Sequence, residues 1–190
     1  MMLHPKYLSI LLFLALTSFT STFCQTTKTA VKSETKSDEY RKSRKVFWDN
    51  PPVSAGFVND YENLFTDHEE AILDSLIKNF EKTTTVQIVV ITFDTTLTSS
   101  DSLDALTLRL GNHWGVGQKN KNNAVVIGIS RGYRKMRIQN GYGIEKILSD
   151  AETKIIIDTV FIPHFRNGEY YEGTSNGLKI LMATLVEKLN

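Results

Sequence analysis

The stretch from Thr85 to Phe93, T-V-Q-I-V-V-I-T-F, constrains this chain more than any other. It is short, β-branched and almost wholly apolar, the pattern of a central strand covered on both faces. Asp94 ends it. The segments on either side supply the cover. Thr66 with Glu69 fits a capping box, and Ile72, Leu73, Leu76, Ile77 and Phe80 then recur at helical spacing to about Lys82. On the other side, Asp101 can cap a second helix in which Leu103, Leu106 and Leu110 share a face.

Ala124 to Ile129 reads as a second apolar strand, and Tyr133 to Gln139 as a half-buried one in which Met136 and Ile138 alternate with Lys135 and Arg137. Arg131-Gly132 turns the chain between them. Strand, helix, strand implies a right-handed parallel crossover, to which the hairpin adds an antiparallel strand. The reading is α/β with a small mixed sheet. Ser149 with Glu152 resembles another capping box, opening a helix through Ile155, Ile156 and Val160 that Pro163 is expected to stop. The last helix carries Leu178, Leu181, Leu185 and Leu189 on one side.

The N-terminus reads as a secretory signal over residues 1–24: Lys6 precedes an apolar core from Leu8 to Phe19, and small residues follow. That core is roughly a dozen residues, short of the ~20 that span a bilayer. Cys24 is the only cysteine, so no internal disulfide can form; lipid attachment there is the alternative, disfavoured by the large Phe23 before it. Residues 25–50 are rich in Thr, Ser and Lys and read as a disordered polar linker, with the domain occupying 51–190. The formal net charge is only +1, which gives no electrostatic case for nucleic acid. No later apolar run is long enough to span a membrane, so the mature chain is expected to be exported, periplasmic or secreted, and soluble.

The sheet topology decides which polar residues can meet. Asn122 and Asn123 precede the second strand, and Gly141 follows the third, at the same edge. Glu145 and Asp150 come just after Gly141-Tyr142-Gly143, so these four side chains can converge there. Asp94 falls at the opposite edge and is set aside, while Asp60, before the first helix, is not fixed by this reasoning. Such a cluster of oxygens suits a hard cation, Ca²⁺ or Mg²⁺, better than zinc. Asp and Asn in loops are more often turn-formers or caps than ligands, and Asp150 stands beside an expected N-cap.

Other chemistries find little support. The histidines (His4, His68, His113, His164) have no paired metal-ligand spacing. Gly115-x-Gly117 is followed by Lys119 but lacks the Gly-Lys-Ser/Thr of a P-loop, Gly141-x-Gly143 lacks the third glycine of a dinucleotide fingerprint, and no G-x-S-x-G elbow occurs.

Val58-Asn59-Asp60, Trp114-Gly115-x-Gly117, Asn122-Asn123, Gly141-Tyr142-Gly143-Ile144-Glu145, Ser149-Asp150-Ala151 and Pro163-x-Phe165-Arg166 follow one another in an order and spacing that resembles the TPM domain family, over about Phe57 to Leu185. The resemblance implies a three-layer α/β/α sandwich with helices on both faces of the sheet, and an exported domain. Members are described as divalent-cation binders, acid phosphatases, or helpers in the assembly and repair of membrane complexes. By motif match, Asp60, Asn122, Asn123, Glu145 and Asp150 inherit the cation-site role, and Arg166 matches a basic position that holds an anion or a carboxylate. Ala124 departs from the family, which usually has glycine there. The resemblance therefore implies a Ca²⁺- or Mg²⁺-binding accessory or interaction module, with a membrane or envelope protein as a possible partner; the alternative is a metal-assisted acid phosphatase on small phosphate esters.

Overall fold

A computed structural model describes residues 36–118 and 120–189. The expected signal sequence, Cys24 and the first part of the linker lie outside the described residues. The described residues from Arg44 onward form one compact unit, and residues 36–43 belong to a separate one.

The sheet has four strands in the order β1-β2-β3-β4. β1 (Val58–Asp60) pairs parallel with β2 (Gln87–Thr92), β2 pairs parallel with β3 (Ala124–Ser130), and β3 pairs antiparallel with β4 (Lys135–Asn140). The core strands and the hairpin agree with the sequence reading. β1 is new: its register sets Val58 opposite Val90 and Asp60 opposite Thr92. Three residues are too few to show a period of two, so β1 reads as irregular chain until β2 is there to pair with it.

Helix α1 spans residues 36–49, where composition predicts a disordered linker. Its exposed ion pairs, Asp38–Arg41 and Lys45–Asp49, are worth only about 0.3–0.5 kcal/mol each. Within the unit that begins at Arg44, tertiary contacts hold its final turns. Arg44 donates to Thr95 O at 2.8 Å, Phe47 meets Tyr61 edge-on at 5.4 Å, and the Arg109 guanidinium lies 5.1 Å from the Trp48 ring while its Nε donates to Trp48 O. The folded unit thus starts ahead of Pro51, because distant partners and not local propensity order residues 44–49.

α2 (Asp67–Thr84) opens on the expected capping box and ends on Thr85 in the left-handed region. Its Leu73, Ile77 and Phe80 cover one face of the sheet with Ile88, Val90, Val125, Ile127 and Ile138. On the other face, α3 (Leu103–His113) packs Leu103, Leu106 and Leu110 against Val89, Ile91, Phe93 and Val126. The alternation along β2 therefore feeds two separate cores, and the architecture is an α/β/α sandwich.

After the short α4 (Tyr142–Glu145), Ser149 caps α5 (Asp150–Ile156) with the expected box. Pro163 does not end the helical run. A π-helical segment, Ile157–Phe161, intervenes, in which Ile162 N–H reaches back to Ile157 O, and Pro163 then sits in the first turn of α6 (Ile162–Arg166). α7 (Tyr170–Leu189) completes the α2 layer with Leu178, Leu181, Met182 and Leu185.

Candidate functional site

The sheet has two ends, and the sequence-derived site residues divide between them. At the end where β3 starts and β4 stops, Gly141 N donates to Ala124 O at 2.8 Å and Gly143 N to Asn122 O at 3.0 Å. Backbone meets backbone here: a Cβ on Gly143 would lie 2.1 Å from Lys121 O. Only glycine permits that approach. The contact docks α4 on the Asn122 turn, and Asn140 Nδ2, donating to Thr153 Oγ1 at 2.9 Å, docks the first turns of α5 beside it.

Asn122, Glu145 and Asp150 are brought to this end and are exposed, with no hydrogen bond or ion pair from their side chains to any described residue. Asn140 Oδ1 is buried there with no donor among the described residues. Asn123 is at the same end but is committed elsewhere. It is 7% exposed, its Oδ1 accepts from Gln118 N at 2.7 Å and its Nδ2 donates to Thr85 O at 2.5 Å. Its amide ties the loop before β3 to the end of α2, so it has little left to offer an ion.

Asp60 lies at the other end of the sheet, which corrects its grouping with the other four. Because β1 runs parallel to β2, Asp60 sits beside Thr92, where the parallel strands finish. Its carboxylate takes the Thr92 hydroxyl and, at 2.8 Å, Phe65 N. Thr92 Oγ1 in turn accepts from Glu62 N at 2.9 Å, and the buried Glu62 carboxylate accepts from Arg131 N at 2.7 Å and Gly132 N at 2.8 Å. The relay fixes the β3–β4 turn. Burial raises the pKa of Glu62, opposed by the two backbone donors. Asp94, also at this end, accepts from Thr96 N at 2.8 Å, and its bonds to Thr96 lower its pKa. Among the described residues no three His, Cys, Asp or Glu side chains are gathered so as to hold a metal ion.

The same end carries a cleft of about 1020 Å³ between the β3–β4 turn and α6. Arg131, Arg134 and Lys135 line it from the turn, Arg166 from the end of α6, and Ile162, Phe165 and Tyr170 form an apolar wall. Burial raises the Tyr170 pKa and Glu62 adds to this, against the pull of Arg131 and Arg134.

A family model of the TPM domain matches residues 58–184. The chain belongs to the TPM domain family. The N-terminal domain of a P. gingivalis protein, solved by solution NMR, is 29% identical over 75% of this chain and 88% of that one, with a TM-score of 0.64. A protein of the psychrophilic bacterium Bizionia argentinensis is 20% identical over 67% and 86% (TM-score 0.59), and the N-terminal domain of a Corynebacterium glutamicum protein 14% over 72% and 84% (TM-score 0.52); these last two share the fold. No curated protein matches the chain.

In this TPM domain the Ala124 departure is accommodated by a neighbour: a Cβ on Gly117, which has φ +92°, would lie 2.9 Å from Ala124 Cβ. Arg131 and Arg134 went unrecognised in the sequence because a hairpin turn reads only as a turn, and Glu62 because its partners lie 69 and 70 residues away. Two arginines bracketing Gly132-Tyr133 were the available signal, and only α6, more than two dozen residues downstream, gives them a common cleft.

Proposed function

We propose that this TPM domain is an exported binding module that holds a divalent cation, Ca²⁺ or Mg²⁺, at the Gly141 turn, through Asn122, Glu145 and Asp150. The observation that carries the reading is Asn140 Oδ1, an acceptor buried at that turn with no donor among the described residues. Leaving such a group unpaired costs about 1–3 kcal/mol, which a hard cation or its bound water offsets. The three exposed side chains at the same end of the sheet offer oxygen ligands, as Ca²⁺ and Mg²⁺ prefer. Two carboxylates in open solvent describe a weak site, with affinity on the order of 10⁻⁴ to 10⁻³ M. When bound, the cation would cross-link the Asn122 turn, α4 and α5. No helix of the described residues is long and apolar enough to cross a membrane.

The geometry favours binding over a metal-assisted phosphatase. The oxygen ligands and the arginines lie at opposite ends of β4, whose six residues span roughly 20 Å at ~3.4 Å per residue. A cation at one end cannot polarise a phosphoryl group held at the other.

Calorimetry on the full chain with millimolar Ca²⁺ and Mg²⁺ tests the reading. Heat is expected with at least one cation, reduced in Asp150→Ala and Glu145→Ala and unchanged in Asp94→Ala. Absence of heat with both cations, or equal losses in Asp94→Ala and Asp150→Ala, would remove the site. Hydrolysis of p-nitrophenyl phosphate is expected at background level and unaltered in Glu145→Ala.

A further inference from the structure

The arginine cleft is separate from the cation reading and stands or falls without it. Arg131, Arg134 and Arg166 line one cavity with exposed side chains that make no hydrogen bond or ion pair to any described residue. Arg131 shares its field with the nearby Glu62 and Asp94. The other charges at the cleft are already matched. Lys135 Nζ is 3.2 Å from Asp104 Oδ1 and donates to Ser100 O, and Asp158 pairs with Lys154. Three like charges lining one cavity favour an anion among them.

Several observations select the kind of anion. A phosphate pocket typically aims backbone N–H groups at its ligand. Here the N–H groups of Arg131 and Gly132 are both given to Glu62 from inside the fold. No lysine of the cleft is unpaired. About 1020 Å³ far exceeds what one phosphate fills, and the wall of Ile162, Phe165 and Tyr170 offers apolar surface beside the charges. The Phe165 and Tyr170 rings lie 4.9 Å apart, tilted by 30°, and both line the cleft. Planar guanidinium forks match carboxylates two bonds at a time, and such charge-assisted pairs are the stronger class of hydrogen bond. We infer that this cleft is the docking site for an acidic peptide segment of a partner protein, its carboxylates on Arg131, Arg134 and Arg166 and an apolar side chain on Phe165 and Tyr170.

Fluorescence anisotropy with the full chain and a short labelled peptide of Asp, Glu and Gly around one Phe tests this. Saturable binding that weakens with salt is expected, with a loss of about tenfold in Arg166→Gln and in Arg134→Gln, about 1.4 kcal/mol each. Arg166→Lys should fall between, since it keeps the charge and loses the fork. Lys179→Gln, exposed on α7, should bind as the parent does. The exposed arginines hold no described partner, so all variants should melt with the parent. The proposal fails if the peptide does not bind at millimolar concentration, or if Arg134→Gln and Arg166→Gln bind it unchanged. It also fails if pyrophosphate displaces the peptide at lower concentration than unlabelled peptide does, which would make the cleft a phosphate site.

Discussion

Asn123→Ala separates a structural amide from a cation ligand. The substitution removes an acceptor 2.7 Å from Gln118 N and a donor 2.5 Å from Thr85 O. A neutral hydrogen bond contributes about 1 kcal/mol net, and a buried group left unpaired costs about 1–3 kcal/mol. Asn123 is only 7% exposed, so water can repair little of this, and two lost bonds sum to about 2–3 kcal/mol. For a domain of this size each kcal/mol moves Tm by about 2–4 °C, which predicts a fall of about 4–12 °C. Thermal unfolding followed by circular dichroism, in EDTA and again in Ca²⁺, reads it. The loss should be the same in both buffers. A Tm in EDTA within a degree or so of the parent, with a deficit only when Ca²⁺ is present, would refute the structural assignment and return Asn123 to the ligand set.

The remaining predictions concern packing and pH. Gly177→Ala should destabilise the domain despite gaining about 1 kcal/mol of helix propensity, because the new Cβ would stand 2.2 Å from Cζ of the fully buried Phe161 ring and overpacking costs about 1–3 kcal/mol; urea unfolding reads the net sign, and a stabilised variant would show that the ring moves freely. Glu152 has its pKa lowered to about 2, first by the Lys188 ammonium and then by Ser149. A lowered carboxylate pKa means stability that is complete above the unfolded value and is lost as pH falls toward 2. The acid side of the Tm-versus-pH curve should therefore flatten in Lys188→Met, and an unchanged slope would count against the pair.

Much of the fold was legible because its signals are local. The apolar run of β2, the stripes of α2 and α3, and both capping boxes depend on residues close in sequence, and each stands where the pattern predicts it. The misses share one cause. α1 and β1 owe their order to distant partners: Thr95, Tyr61 and Arg109 for the first, Val90 to Thr92 for the second. Pro163 looked like a stop because the π-helical step that re-registers the helix ahead of it leaves no mark in the sequence.

For the site, strand order alone sufficed to bring Asn122, Asn123, Glu145 and Asp150 to one edge. It left Asp60 unplaced because β1 is not legible as a strand, and a parallel β1 sends its last residue to the far end. Nor could spacing tell an oxygen that is free from one already engaged; Asn122 and Asn123 are neighbours in sequence, yet one faces solvent and the other is bound on both sides of its amide.

By itself, then, the amino-acid sequence determined the layered α/β plan, the hairpin and the family, since hydrophobic periodicity and short-range motifs carry that information. Tertiary structure alone decided which polar groups are consumed in holding the backbone and which are left over. It also assembled the arginine cleft, from a turn and a helix that no local pattern connects. Burial and hydrogen-bond satisfaction depend on every surrounding element at once, and a linear reading has no access to that sum.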